Sequence, residues 1–258
     1  MLRYTLLCCS IILFFSCKTD QSKTAAPVVT KTSKYTLTVF EGSTEFPDAQ
    51  INSYTYKEGV FDFKVAEGSY VLGQQTPDAE SKMCANSGKG QHIHLIVDNA
   101  PYAAKYVPTF KYDIPDGEHY LLAFLSRSYH ESIKTSDAHV AHKVMVENNN
   151  ITGSTDIKKP MLFYSRPKGT YVGDDTKKVM LDFYTINLEL GDKYKVKANI
   201  NGEISILDAW QPYYIEGLPM GENTVELSLV DEKGALVDTP LNPVSRTFTL
   251  KEALEPKK

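Results

Sequence analysis

The chain has 258 residues, 42% of them hydrophobic, with 28 Lys and Arg against 32 Asp and Glu, a net charge of −4. That balance argues against a general nucleic-acid binder, and the length suffices for two domains of roughly 100 residues with cores of their own. Only four cysteines are present, which excludes a disulfide-dense scaffold.

Met1-Leu2-Arg3 is a minimal positive start, followed by an apolar run from Tyr4 to Phe15. The run is too short to span a bilayer as a helix, which takes ~20 apolar residues. It ends at Phe14-Phe15-Ser16-Cys17, a small residue directly before a cysteine, and polarity begins at once with Lys18-Thr19-Asp20. This resembles the lipobox of bacterial lipoproteins, although the two phenylalanines depart from the usual Leu-Ala/Ser pattern. The resemblance implies a signal peptide over 1–16 and a lipid on Cys17. Loss of 1–16 removes Arg3 alone among the charges, leaving 27 basic against 32 acidic residues, a net charge of −5. Cys8 and Cys9 leave with the signal, so Cys84 is the one free cysteine of the body and no internal disulfide is expected. Residues 18–34 lack aromatics and apolar periodicity. They read as a flexible tether, holding the body on the order of 20 Å from the membrane.

From Tyr35 onward, short β-branched and aromatic runs alternate with Gly, Pro, Asn and Asp clusters. Such runs are Tyr35–Phe40, Phe61–Val65, His92–Asp98, Tyr120–Leu125, Lys193–Ile200, Thr224–Val230 and Thr247–Leu250. The pattern predicts β-sandwiches. The body also repeats itself. Gly68-Ser69-Tyr70-Val71 recurs as Gly169-Thr170-Tyr171-Val172, and Pro115-Asp116-Gly117-Glu118 as Pro219-Met220-Gly221-Glu222. From there a constant offset of 104 matches Leu125 to Leu229, Thr135 to Thr239 and Val146 to Leu250. Two tandem Ig-like β-sandwiches are therefore expected, 35–148 and 149–258, the first with an N-terminal β extension over 35–59.

The two copies differ in their histidines. All six lie between 92 and 142, and their counterparts in the second copy are Lys195, Lys197, Asn223, Gly234, Pro243 and Arg246. None is expected to be needed for the fold. Side-chain alternation puts Ile93, Leu95 and Val97 toward the core and His92, His94 and Ile96 on the other face. Tyr120, Leu122 and Phe124 fall on that same outer face, whereas the matching positions Thr224, Glu226 and Ser228 are polar. An apolar face of this kind is a binding surface or is covered, here by the 35–59 extension or by the second copy.

Two imidazoles at i, i+2 on one strand face are a common way to present ligands to zinc or copper. His119, His130, Met83 and Cys84 are further candidates, though His119 falls in the core-facing register. The run Gly90-Gln91-His92-Ile93-His94-Leu95-Ile96-Val97-Asp98 with Gly117-Glu118-His119 resembles uncharacterised periplasmic domains with an H-x-H…G-x-H pattern, and more loosely the β-sandwich copper-handling proteins of the periplasm. A second reading comes from Ser126-Arg127-Ser128-Tyr129-His130-Glu131-Ser132-Ile133. It resembles the S-R-x-H signature of forkhead-associated domains, with one extra residue before His130. That resemblance implies phosphopeptide binding, with Ser126 and Arg127 on the phosphate and His130 buttressing the loop.

Asp137 with His139 or His142 could be drawn as part of a triad, but no nucleophile elbow, Gly-rich phosphate loop or H-E-x-x-H motif supports an enzyme. The runs Lys82-Met83-Cys84-Ala85-Asn86-Ser87 and Met161-Leu162-Phe163-Tyr164-Ser165-Arg166-Pro167 are similar to uncharacterised envelope lipoproteins of the Bacteroidota. The expectation is a non-enzymatic module of the cell envelope, facing the periplasm or on the outer membrane. It is lipid-anchored through Cys17 and binds copper or zinc, a phosphopeptide or another protein, or serves a purely structural role.

Overall fold

The computed structural model describes residues 34–40 and 42–253. The expected signal peptide, Cys17 and all of the tether but Lys34 lie outside the described residues. Within them every regular element is a strand or a short 3₁₀ turn.

The β-branched and aromatic runs form two β-sandwiches of two sheets each. In the first, β2 (Ile51–Lys57), β3 (Val60–Val65) and β6 (Thr109–Lys111) make a small sheet. It faces β5 (Ala103–Lys105), β4 (His92–Val97), β7 (Gly117–Ser126), β8 (His139–Glu147) and β9 (Asn150–Asp156), in that order. In the second, β1 (Thr36–Val39), β15 (Tyr213–Glu216), β12 (Lys178–Ile186) and β10 (Met161–Arg166) form one sheet. Its partner is β11 (Gly169–Val172), β17 (Val244–Lys251), β16 (Gly221–Asp231), β13 (Tyr194–Ile200) and β14 (Glu203–Leu207).

The repeat holds at the level of register. Ile93 pairs with Leu125 as Val196 pairs with Leu229, and Gly117 with Val146 as Gly221 with Leu250. The isolated bridges Ser126–Ser132 and Val230–Leu236 also correspond. Because side chains alternate, equal register places equal positions on equal faces.

Two expected boundaries shift. β9 turns back from β8 at Glu147–Asn150, so the division placed at 148/149 falls inside a hairpin of the first sandwich. β1, expected as part of an extension on the first copy, instead pairs with β15 in the second. Of the 35–59 stretch, β2 stays with the first copy, as do Phe46 and Ala49, which join its core.

These shifts decide what covers the apolar outer face. Ile93, Leu95, Leu121, Ala123 and Leu125 point into the first sandwich, against Phe61 and Phe63. On the other face Ile96, Leu122 and Phe124 pack on Met161, Phe163, Tyr184 and Ile186 of β10 and β12. The second copy is the cover. The opposite face of β10 and β12 turns Leu162, Tyr164, Leu181 and Phe183 into the second sandwich's own core. Strands β4, β10 and β12 are thus sandwiched on both sides, which is why they read as near-continuous apolar runs. Phe124 and Tyr184 stack at 5.0 Å across the junction.

Polar contacts fix the junction's geometry. The Asn99 side chain imitates a strand residue: its Nδ2 donates to Leu162 O at 2.9 Å, and its Oδ1 accepts from the Tyr164 N–H at 2.8 Å. Asp182, fully buried, accepts from Ser132 N–H and Oγ, and its charge is balanced by Lys134 Nζ at 2.7 Å. A buried carboxylate left without these partners would be strongly destabilising.

Candidate metal centre

His92 and His94 stand on β4 facing the second copy, at the edge of the inter-sandwich core, and both are fully buried. His130 reaches them from the turn after β7. That turn is a duplicated device. Its three backbone hydrogen bonds, Arg127 N to Glu131 O, His130 N to Arg127 O and Ile133 N to Leu125 O, recur in the second copy. There they run from Asp231 N to Ala235 O, Gly234 N to Asp231 O and Val237 N to Leu229 O. The fourth turn position needs a left-handed backbone. Gly234 supplies it at φ 79°, as glycine does without penalty, while the first copy places His130 there at φ 70°. A side chain in that region costs ~1 kcal/mol or more, and such strain concentrates at functional sites.

The three rings converge. His92 Nε2 lies 2.8 Å from His94 Nε2 and 3.0 Å from His130 Nδ1, and one ligating nitrogen from each ring falls within 4.8 Å of the others. Gly90 O sits 2.8 Å from His92 Nδ1. A carbonyl only accepts, so Nδ1 carries the proton and Nε2 presents its lone pair inward. Gly90 is required for this. Its φ is 86°, and a Cβ there would meet the carbonyl oxygens of Gly73 and Gln74 at 2.5 Å.

Two imidazole nitrogens then approach one lone pair, which accepts one good hydrogen bond. Only one of the two short N···N contacts can therefore be a good hydrogen bond, whereas one cation at the focus would account for both. A tetrahedral ion with Zn–N bonds of 2.0–2.1 Å needs N···N edges of about 3.3 Å, so the two short edges at His92 would open by a few tenths of an ångström. Behind the ligand atoms, Gly90 O holds His92, and Ser165 Oγ lies 3.4 Å from His94 Nδ1. This is the second layer that orients ligating histidines.

Burial, with the positive charges of Arg166 and Lys168, holds all three imidazoles neutral. His92 is pushed down to about 4, and His94 and His130 lie well below the usual histidine range. Neutral imidazole is the ligating form. An all-imidazole donor set suits zinc, copper or nickel. Tyr102 was not singled out by the sequence. It stacks on His94 at 3.6 Å and 10°, with its Oη 3.3 Å from His130 Nδ1.

The other sequence candidates lie elsewhere. His119 is at the far end of β7, with Nδ1 2.6 Å from Asp98 Oδ2 and Nε2 2.9 Å from Pro115 O. In the second copy Asn223 spans the same two segments with one bond reversed: its Nδ2 donates to Pro219 O at 2.9 Å, and its Oδ1 accepts from Asn201 at 2.7 Å where His119 donates to Asp98. His119 is a hairpin clamp, contrary to the expectation that no histidine serves the fold. Met83 is exposed, and Cys84 is buried beside Phe40, Tyr129 and Met180, where burial pushes its thiol up to about 11. Neither joins the three histidines. His142 bonds Tyr54 Oη at 3.1 Å, and His139 rests 4.9 Å from the Tyr184 ring.

The phosphopeptide reading meets a physical obstacle. Ser126 is buried, its Oγ donating to the carbonyls of Arg127 and Glu131. Arg127 is also buried, spending Nε on Thr44 O at 2.8 Å and pairing with Glu131, which in turn accepts from Ser43. His130 belongs to the imidazole cluster. The expected phosphate donors are turned inward and occupied.

No protein-family model matches the sequence, and no curated protein does. Among solved structures the chain is similar to fibronectin(III)-like modules of Clostridium thermocellum CbhA, at 16% identity, 36% of this chain, all of that chain and a TM-score of 0.29. It is also similar to a Ca²⁺-stabilised, ice-binding adhesin of an Antarctic bacterium, at 10% identity, 80% of this chain, half of that chain and a TM-score of 0.24. Scores this low carry no argument beyond what the strands themselves establish.

Proposed function

We propose that this chain is a lipid-anchored envelope protein whose body is a non-enzymatic metal-binding module, with His92, His94 and His130 as the protein ligands. One observation carries the reading: three neutral, buried imidazoles aim nitrogens at a common point, where only one of the two short N···N contacts at His92 Nε2 can be a good hydrogen bond. Strain at His130, where the second copy uses glycine, supports it independently. Envelope anchoring is supported by the sequence around Cys17, and among the described residues no helix is long and apolar enough to cross a membrane.

The metal reading is tested by calorimetric titration of Zn²⁺ into full-length protein purified without a histidine tag. One site per chain is expected, lost in His130→Gly, whose backbone the turn accepts. Equal uptake by the variant would refute the assignment. The anchor is tested separately. Cys17→Ala is expected to move folded protein out of the membrane fraction, and retention in membranes would show another anchor.

A further inference from the structure

One side of the histidine cluster is cationic; Asp175 feels the charge of Arg166 but makes no ion pair with it. Arg166 ends β10 with only 5% of its surface exposed, and its Nε and one terminal nitrogen both donate to a single phenol, Tyr171 Oη, at 3.2 and 2.9 Å. Lys168 Nζ lies 4.0 Å from the centre of the Tyr102 ring, the ring that stacks on His94. Arg246 donates to the carbonyls of Asn99, Tyr164 and Ser165. Among the described residues none of these three cations has a carboxylate within ion-pair distance. Geometry brings this side to the site: Arg166 directly follows Ser165, whose Oγ lies 3.4 Å from His94 Nδ1. Buried charges are ordinarily paired. A divalent ion on three neutral ligands would add to an uncompensated positive region.

Three protein ligands also leave the fourth position of a tetrahedral ion open. We propose that this position takes a small oxyanion, held between the metal and the cationic side made by Arg166 and Lys168, with Tyr102 Oη as a further donor. The inference rests on the reading of His92, His94 and His130 as a metal centre. It makes metal and anion binding reciprocal: each raises the affinity of the other by the same factor. The anion neutralises what the histidines leave uncompensated, and the metal anchors an anion that one buried guanidinium and one half-buried ammonium would hold only loosely.

The test uses full-length protein loaded with Co²⁺ as a coloured probe and titrated with inorganic phosphate, with sodium chloride at matched ionic strength as the screening control. Phosphate is expected to change the visible spectrum saturably and to tighten Co²⁺ binding at least roughly tenfold, as one added negative charge a few ångströms away would. Lys168→Gln should weaken the phosphate effect by a similar factor. Lys168→Glu, which supplies a carboxylate from the chain itself, should tighten Co²⁺ and abolish the response to phosphate. Stoichiometric Co²⁺ with a spectrum indifferent to phosphate, or an unchanged phosphate response in Lys168→Gln, overturns the anion site and leaves the metal centre standing. Failure of Co²⁺ and Zn²⁺ to bind under any of these conditions overturns the centre and the anion with it.

Discussion

Acidification of the metal-free protein should unfold it through its histidines before its carboxylates. His92 is held at about 4 in the fold against 6.5 in an unfolded chain, so between those values the unfolded state binds more protons. Stability therefore rises with pH across this window: it is complete above about 6.5 and is lost as pH falls toward 4. A gap of this size corresponds to about 3 kcal/mol from His92 alone at 1.36 kcal/mol per pH unit. His94, His130, His139 and His142 are depressed as well and act in the same direction. Glu131, held up by burial, opposes them. Against a typical total of 5–15 kcal/mol this loss is large. Urea denaturation at pH 7.5, 6.5, 5.5 and 4.5 reads it directly. His92→Asn keeps a donor where Nδ1 meets Gly90 O but removes the titrating ring, so the loss should shrink by about 3 kcal/mol. A stability that is flat from pH 7 to 4.5, or equally steep in His92→Asn, would refute the argument.

Two further substitutions and truncations separate structural roles from ligand roles. The pair Asp98→Asn, His119→Asn should fold with near-native stability, because it recreates the Asn201–Asn223 clamp of the second copy. His119→Ala should lose on the order of 1–2 kcal/mol in chemical denaturation, and neither variant should alter metal uptake. The fragment 149–258 lacks β1 and uncovers Met161, Phe163, Tyr184 and Ile186. At about 1.5–3 kcal/mol per large apolar side chain, it should aggregate or stay unfolded in size-exclusion chromatography, and a soluble monomer would contradict the shared junction.

Much of the first sandwich was legible because one copy served as a control for the other. Strand parity alone put His92, His94, Leu122 and Phe124 on one face, and the matched positions of the two copies pair alike, Ile93 with Leu125 as Val196 with Leu229. The limit of that control was chemical. His119 and Asn223 look different as letters but bridge the same two segments, each bonding the carbonyl of the preceding proline, so a clamp passed for a candidate ligand. His130 against Gly234 carried the opposite signal, a bulky residue where the turn asks for glycine. Arg166 and Lys168 were out of reach because they come from the second copy, and Tyr102 because it folds back onto His94 from just before β5; no local period encodes either contact. The same non-local contact decided that β10 and β12, and not the 35–59 stretch, cover the apolar face.

The most direct measurement is X-ray absorption at the zinc edge on untagged, full-length protein holding one equivalent of Zn²⁺, compared with His130→Gly. Three imidazole nitrogens at about 2.0–2.1 Å are expected in the parent, and a lost or incomplete imidazole shell in the variant. An identical shell in both proteins, or no zinc retained by the parent, would contradict the assignment of His92, His94 and His130 as a metal centre.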